Sequence, residues 1–440
     1  MTHAPMSPCA VQATDSGLAT SAALTFITCG SVDDGKSTLI GRLLWDSQAL
    51  LQDQVEGAKR HNGSEAIDLA ALTDGLSAER EQGITIDVAW RYFSTPERKF
   101  IIGDSPGHEQ YTRNMVTAAS QADAAVVLVD ALKLDVSADP VQLLSQTRRH
   151  TLLAQLLRVP TLIFAVNKLD AVDDAPRAFE RIRQALCDFA ADIALPKPAV
   201  VPVSALLGYN VVHAQVDWLG YCGPSLLQLL QATPTVKADV SSDVHFSVQW
   251  IEKRHHRPDT QQGRRALWGR LVAGQLALGD EIKVNGGLSA RVAGIEGLSG
   301  HLVAATPGHS YGITLDQEMD VSRGDWLLGA SAQPGTQAVT AMLAWLDHEP
   351  LVTGRTYWAL HGHRWVKAKV KRIVHQLDVQ TLERKQADEL GANAIAQVEL
   401  VLQAALPLQP FAMSRELGRL ILVDMASHAT AAAVLIDTLH

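Results

Sequence analysis

The sequence predicts an α/β domain, a mostly parallel sheet with helices on both faces, followed by two antiparallel β-barrel units. Two observations carry that reading. From Leu24 onward, short apolar runs alternate with longer segments of helical periodicity, the pattern of a sheet wound with crossover helices. After Leu230 the runs shorten, alternate with period two and are punctuated by Gly, as antiparallel strands closing a small barrel are. Size agrees, since 440 residues at roughly 150 per domain make about three domains. With 47% hydrophobic and 19% charged residues, the chain is globular rather than disordered.

Buried strands are expected at Leu24–Cys29, Lys99–Gly103, Ala124–Asp130, Thr161–Val166 and Val200–Val203, with helices at Ser37–Leu51, Glu109–Ala119, Gln146–Leu157 and Ala175–Ala190. The polar stretch Gln231–Asp243 reads as a linker. Beyond it, His245–Ile251, Trp268–Leu276, Glu281–Val284 and Ala290–Ile295 read as strands. A second all-β unit is expected near Ala338, after the Gln333-Pro334-Gly335 turn, and includes Arg364–Val374, where Lys367, Lys369 and Lys371 alternate with apolar residues. The expected division is a disordered tail at 1–21, an α/β domain at 22–237 and β-barrels at 238–335 and 336–440.

A net charge of −9 supplies no chain-wide field for polyanions, so nucleic acid is not an expected partner and any phosphate contact must be local. Cys9, Cys29, Cys187 and Cys222 lie far apart, with neither a zinc spacing nor a disulfide framework. Met1–Ser21 has no basic segment followed by an apolar core, and no run approaches membrane-spanning length. The expectation is a cytoplasmic protein.

Gly30-Ser31-Val32-Asp33-Asp34-Gly35-Lys36-Ser37 fits G-x-x-x-x-G-K-[ST] and stands between an expected strand and an expected helix, which Thr38 continues. Its glycines let consecutive N–H groups face phosphate oxygens while the helix N-terminus adds its positive end. Lys36 is expected to neutralise the β- and γ-phosphates and Ser37 to hold Mg²⁺. A second acidic element ends the strand Phe100–Gly103: Asp104, followed by Ser105-Pro106-Gly107-His108. Asp104 can hold Mg²⁺ through water, the Gly107 N–H can bond the γ-phosphate, and His108 can orient the attacking water.

The base is read from Asn167-Lys168-Leu169-Asp170. A carboxylate at Asp170 accepts from both N1–H and the 2-amino group of guanine, whereas adenine lacks that amino group; leaving the charge unpaired costs a few kcal/mol, on the order expected for buried charges. GTP is therefore favoured over ATP. Ser204-Ala205-Leu206 fits a backbone contact to guanine O6. Thr85, in Glu79-Arg80-Glu81-Gln82-Gly83-Ile84-Thr85-Ile86, is placed to give Mg²⁺ a second hydroxyl while the γ-phosphate is present.

These five elements, in this order, resemble the translation-factor GTPases whose best-known member is elongation factor Tu, a G domain followed by two β-barrels. Longer strings narrow the resemblance: GSVDDGKSTLIGRLL at Gly30–Leu44, DGLSAEREQGITIDVAWRYF at Asp74–Phe93, GHEQYTRNM at Gly107–Met115, and Gln146-Thr147-Arg148-Arg149-His150. Together they look like the large GTPase subunits of heterodimeric sulfate adenylyltransferase. That likeness implies a small catalytic partner subunit making adenosine 5′-phosphosulfate and pyrophosphate from ATP and sulfate, driven by GTP hydrolysis on this chain. No second phosphate loop and no S-G-G-x-D-S adenylylation loop occurs here, and with the last strand-like block, Leu417–Asp424, close to His440, a fused kinase is not expected. The competing expectation is a translation factor delivering aminoacyl-tRNA, which the long strings and the missing basic groove oppose. By the same likeness Val32 and Ile84 form a hydrophobic gate between His108 and water. Asp34 stands where translation factors usually carry His, Ser105 where Thr is common, and Leu132–Ser145 is longer and less basic than usual.

His255-His256 and His361-Gly362-His363 lack a Cys or acidic cluster to complete a metal shell and are expected to be solvent-exposed. The strand from Arg364 to Arg372 is expected to be a solvated barrel face or a contact for an acidic partner.

Overall fold

The computed structural model describes residues 23–48, 69, 88–107, 115, 118–196, 198–235, 243–253, 265–298, 300–333, 335–378, 381 and 383–440. The tail, Thr85, Ile84, His108, His255 and His256 lie outside the described residues.

The first sheet contains β1 (Leu24–Cys29), β2 (Ala89–Ser94), β3 (Lys99–Asp104), β4 (Ala124–Asp130), β5 (Thr161–Asn167) and β6 (Ala199–Pro202), in spatial order β2-β3-β1-β4-β5-β6. All neighbours are parallel except β2, which runs antiparallel along β3. Every residue of β4, AAVVLVD, is buried, as a parallel strand covered on both faces must be. Edge strand β2 lacks such a run: only Phe93 of its six residues is buried and Tyr92 faces solvent. It is absent from the expected buried strands for that reason.

Helices α1 (Lys36–Asp46), α2 (Ser145–Leu156), α3 (Ala175–Asp192) and α4 (Leu226–Ala232) cover the sheet. Alternate strand residues serve opposite layers. Phe26, Val126 and Ile163 pack with Leu39 and Leu43 of α1, while Ile27, Val127 and Phe164 pack with Leu153 of α2 and Ile182 of α3. Helix α1 ends five residues before the expected Leu51, because the Ser47 N–H and hydroxyl both turn back onto Leu43 O and Gln48 takes a positive φ of 56°. Reciprocal bonds between Ser225 and Gln228 start α4 as a capping box. Because β3 and β4 flank β1, the chain departs in opposite directions from the C-terminal end of β1. A crevice at such a switch point is where doubly wound sheets bind ligands.

Two antiparallel barrels of six strands follow. In the first, His245–Lys253, Arg265–Ala273, Glu281–Val284, Ser289–Gly297, Ser310–Leu315 and Trp326–Gly329 close on themselves. The strand expected at Trp268–Leu276 divides at Gly274, where φ is 76°, into Arg265–Ala273 and Leu276–Ala277. The second comprises Thr336–Trp345, Thr356–His361, Arg364–Leu377, Ile395–Leu406, Arg419–Asp424 and Thr430–Leu439. Lys367, Lys369 and Lys371 face outward while Val366, Ala368 and Val370 fill the interior, the solvated face expected from the sequence.

His361 corrects one expectation. It is fully buried, stacked on Trp326 of the first barrel at a centroid distance of 5.0 Å. The ring is the last residue of a strand whose alternation points it inward, a placement that two histidines around a glycine do not reveal.

The second barrel also docks on the α/β domain. Ile395, Phe411, Ala433 and Leu435 share a core with α2, and Arg415 donates to the carbonyls of Ala122 and Leu157, both at 3.2 Å.

Candidate nucleotide site

The loop from Gly30 to Gly35 leaves β1 and enters α1 at the switch point. Gly35 sits at φ 90°, and a Cβ there meets the Asn167 amide nitrogen at 2.5 Å, so neither the conformation nor the space tolerates a side chain. Asp34, fully buried, accepts from Ser31 N–H at 2.6 Å and pairs with Lys133 at 2.8 Å. Lys133 also donates to the Val32 carbonyl, and Lys168 to the Asp33 carbonyl at 2.6 Å. The loop is thus braced before any ligand arrives.

Lys36 is 7% exposed, and its ammonium donates to the Ser31 carbonyl at 2.7 Å and to the Gly30 carbonyl at 3.3 Å. Burial pushes its pKa down, opposed by the charges of Asp104 and Asp34. A buried cation compensated mainly by loop carbonyls is a ready counter-charge for phosphate. Ser37 and Thr38 follow in the first turn of α1.

Asp104 ends β3 opposite Thr28, whose hydroxyl donates to it at 3.0 Å. Ser105, Pro106 and Gly107 are buried behind it. A Cβ on Gly107 meets the Lys36 ammonium at 2.6 Å and Val32 N at 3.0 Å, so glycine is what lets this turn touch the phosphate loop. The described residues bring Lys36, Asp104 and Gly107 together. Thr85 and His108 lie outside them.

At the other end Asn167 is a staple. Its amide donates to the Asp34 carbonyl at 2.9 Å and accepts from Ala205 N–H at 3.0 Å, tying the phosphate loop to the Ser204-Ala205-Leu206 turn. Lys168, at φ 64°, pairs with Asp130 at 2.7 Å, and Leu169 is buried beneath the exposed Asp170. The Ser204 and Ala205 N–H groups are already committed, to Tyr209 and Asn167. Arg42 of α1 holds the carbonyls of Ala205 and Leu206.

Sequence reasoning missed Arg42, Asp130 and Lys133. Lys133 lies in the segment flagged as unusual, which Arg181 of α3 secures by donating to the Ala138 carbonyl at 2.7 Å. It also left Gln146 and His150 without a role. Both are buried; His150 Nδ1 accepts from Gly30 N–H at 3.1 Å and Gln146 donates to the Gly107 carbonyl at 3.2 Å. Their signal is the i,i+4 spacing that puts both on one face of α2.

Comparison with known proteins gives two family matches: the elongation factor Tu GTP-binding domain over residues 21–237 and the GTP-eEF1A C-terminal domain-like family over residues 338–437. The chain is 44% identical over 421 residues to sulfate adenylyltransferase subunit 1 of Laribacter hongkongensis, covering 94% of this chain and 85% of that protein. It is 41% identical over 421 residues to the subunit of the same name from Yersinia enterocolitica, covering 94% and 85%. A bifunctional enzyme CysN/CysC from Xylella fastidiosa is 44% identical over 423 residues, and there the chain spans only 66% of the relative's length.

Proposed function

Because the chain belongs to the sulfate adenylyltransferase subunit 1 family of elongation factor Tu-type GTPases, we propose that it hydrolyses GTP to drive the partner subunit's synthesis of adenosine 5′-phosphosulfate from ATP and sulfate. The observation that carries this reading is the buried Lys36 ammonium, set so close to the Gly107 turn that a Cβ there would meet it, on a phosphate loop braced by Asp34 and stapled to the base-binding turns by Asn167.

In this reading Lys36 and the N–H groups of 30–38 bind the β- and γ-phosphates, with Gly107 bonding the γ-phosphate. Asp170 pairs with guanine, and the Leu206 N–H, which has no hydrogen-bond partner among the described residues, reaches O6. Hard oxygen donors suit a magnesium ion: the Ser37 hydroxyl, Asp104, fixed by Thr28, and Thr85. Such an ion supplies charge neutralisation on the phosphates. His108 orients the water whose oxygen bonds the γ-phosphorus as the bond to the β–γ bridging oxygen breaks, leaving GDP and phosphate. The partner is the small catalytic subunit, because adenylyl transfer needs a second nucleotide site.

Calorimetry with magnesium present tests the nucleotide reading. GTP and GDP are expected to bind and ATP to bind at least about 100-fold more weakly; ATP binding equal to GTP contradicts the assignment of Asp170. The His108→Ala variant is expected to keep GTP affinity and to lose about 100-fold or more in hydrolysis. Undiminished single-turnover hydrolysis removes His108 from its role.

A further inference from the structure

Helix α2 places two buried side chains between the phosphate loop and the Asp104–Gly107 turn. His150 Nδ1 lies 3.1 Å from Gly30 N, and its Nε2 lies 2.8 Å from the Gln146 amide nitrogen. That same amide nitrogen lies 3.2 Å from the Gly107 carbonyl, while Gln146 Oε1 is buried with no partner among the described residues. The three contacts cannot all be hydrogen bonds at once. A backbone N–H only donates, so Nδ1 must be bare to accept from Gly30, and the single proton of the neutral ring then sits on Nε2. There it confronts the amide nitrogen, another donor. Rotating the amide satisfies Nε2–H with Oε1 but turns an oxygen toward the Gly107 carbonyl. Moving the proton to Nδ1 lets Nε2 accept from Gln146 and keeps the Gly107 bond, but forfeits Gly30. Protonating both nitrogens is no escape, because burial, with the Lys36 and Arg149 cations nearby, holds the ring's pKa down to about 3.

We propose that Gln146 and His150 form a proton-and-amide relay in which the bond to Gly107 and the bond to Gly30 are alternatives, so that γ-phosphate contact at Gly107 is reported to the phosphate loop. The relay rests on the nucleotide reading above. GTP, by fixing Gly107, favours the amide that donates to its carbonyl and therefore the Nδ1–H ring. GDP frees Gly107, the amide rotates to accept from Nε2–H, and Nδ1 again accepts from Gly30. Gln146 and His150 are positioning residues, since they act through backbone groups and touch no reacting atom.

The test is nitrogen NMR of the full chain with ¹⁵N-labelled histidine, the His150 signals being identified by their loss in His150→Gln. Exchanging GDP for a non-hydrolysable GTP analogue is expected to shift the His150 tautomer ratio toward Nδ1–H by about five-fold or more, one net hydrogen bond's worth. In Gln146→Met the ratio is expected to be the same with both nucleotides. An unchanged ratio in the unmodified protein, or a nucleotide-dependent ratio surviving in Gln146→Met, overturns the relay alone. Failure of the same sample to bind either nucleotide overturns the functional reading and the relay with it.

Discussion

Two buried basic side chains carry opposite consequences. At Lys36 burial pushes the pKa down while the charges of Asp104 and Asp34 oppose it, and the ammonium is useful because its direct contacts are neutral loop carbonyls. His361 is neutral: burial drives its pKa down to about 4, with Arg419 and His245 adding to the effect and the Leu417 backbone opposing it. A histidine whose folded pKa lies below its ordinary value binds its proton preferentially in the unfolded chain. Its penalty is absent above about pH 6.5 and grows as the pH falls toward 4. The fully buried ring makes this worth on the order of 3 kcal/mol. His361→Phe, which keeps the stack on Trp326, is therefore expected to flatten the loss of stability between pH 6.5 and 4. Denaturant midpoints measured across that range check it, and a slope identical to that of the unmodified protein contradicts it.

Helix α2 is the element where the nucleotide site meets the second barrel. Its first turns carry Gln146 and His150; Leu153, Leu156 and Leu157 at its far end face Met342, Ala344 and Leu435. Arg415 secures this junction through the carbonyls of Ala119, Ser120, Ala122 and Leu157. Arg415→Ala takes this donor from the Ala122 and Leu157 carbonyls in a half-buried seam, while Ala119 keeps the Ala122 N–H and Ser120 keeps Arg419, so a loss of about 1–3 kcal/mol is expected in equilibrium unfolding. A change below about 0.5 kcal/mol contradicts the assigned role. At this scale the sequence was most readable where a motif occupies consecutive positions. Gly30–Ser37, Asp104–Gly107 and Asn167–Asp170 each lie where a strand ends, as the alternation of apolar runs implied. It was least readable where contacts span long separations. Lys133 reaches Asp34 across 99 residues, His150 reaches Gly30 across 120, and Arg42 reaches the Leu206 carbonyl across 164. Periodicity reports which face of an element is buried, not which distant partner it meets. His361 shows the same limit, because its burial comes from Trp326 of the other barrel.

Across the whole molecule, an α/β domain and two barrels share buried seams, so a change at the phosphate loop has a packed route to surfaces far from it. Among the described residues no helix is long and apolar enough to cross a membrane. In the proposed account the chain supplies free energy, and adenylyl transfer occurs on another subunit. The most direct measurement combines the full chain with a small catalytic subunit and follows sulfate-dependent pyrophosphate release from ATP. The account predicts that GTP raises the extent of release, that GDP does not, and that Lys36→Ala abolishes the increase while the assembly persists. Pyrophosphate release that reaches the same extent with GTP, with GDP and with the Lys36→Ala chain would contradict it.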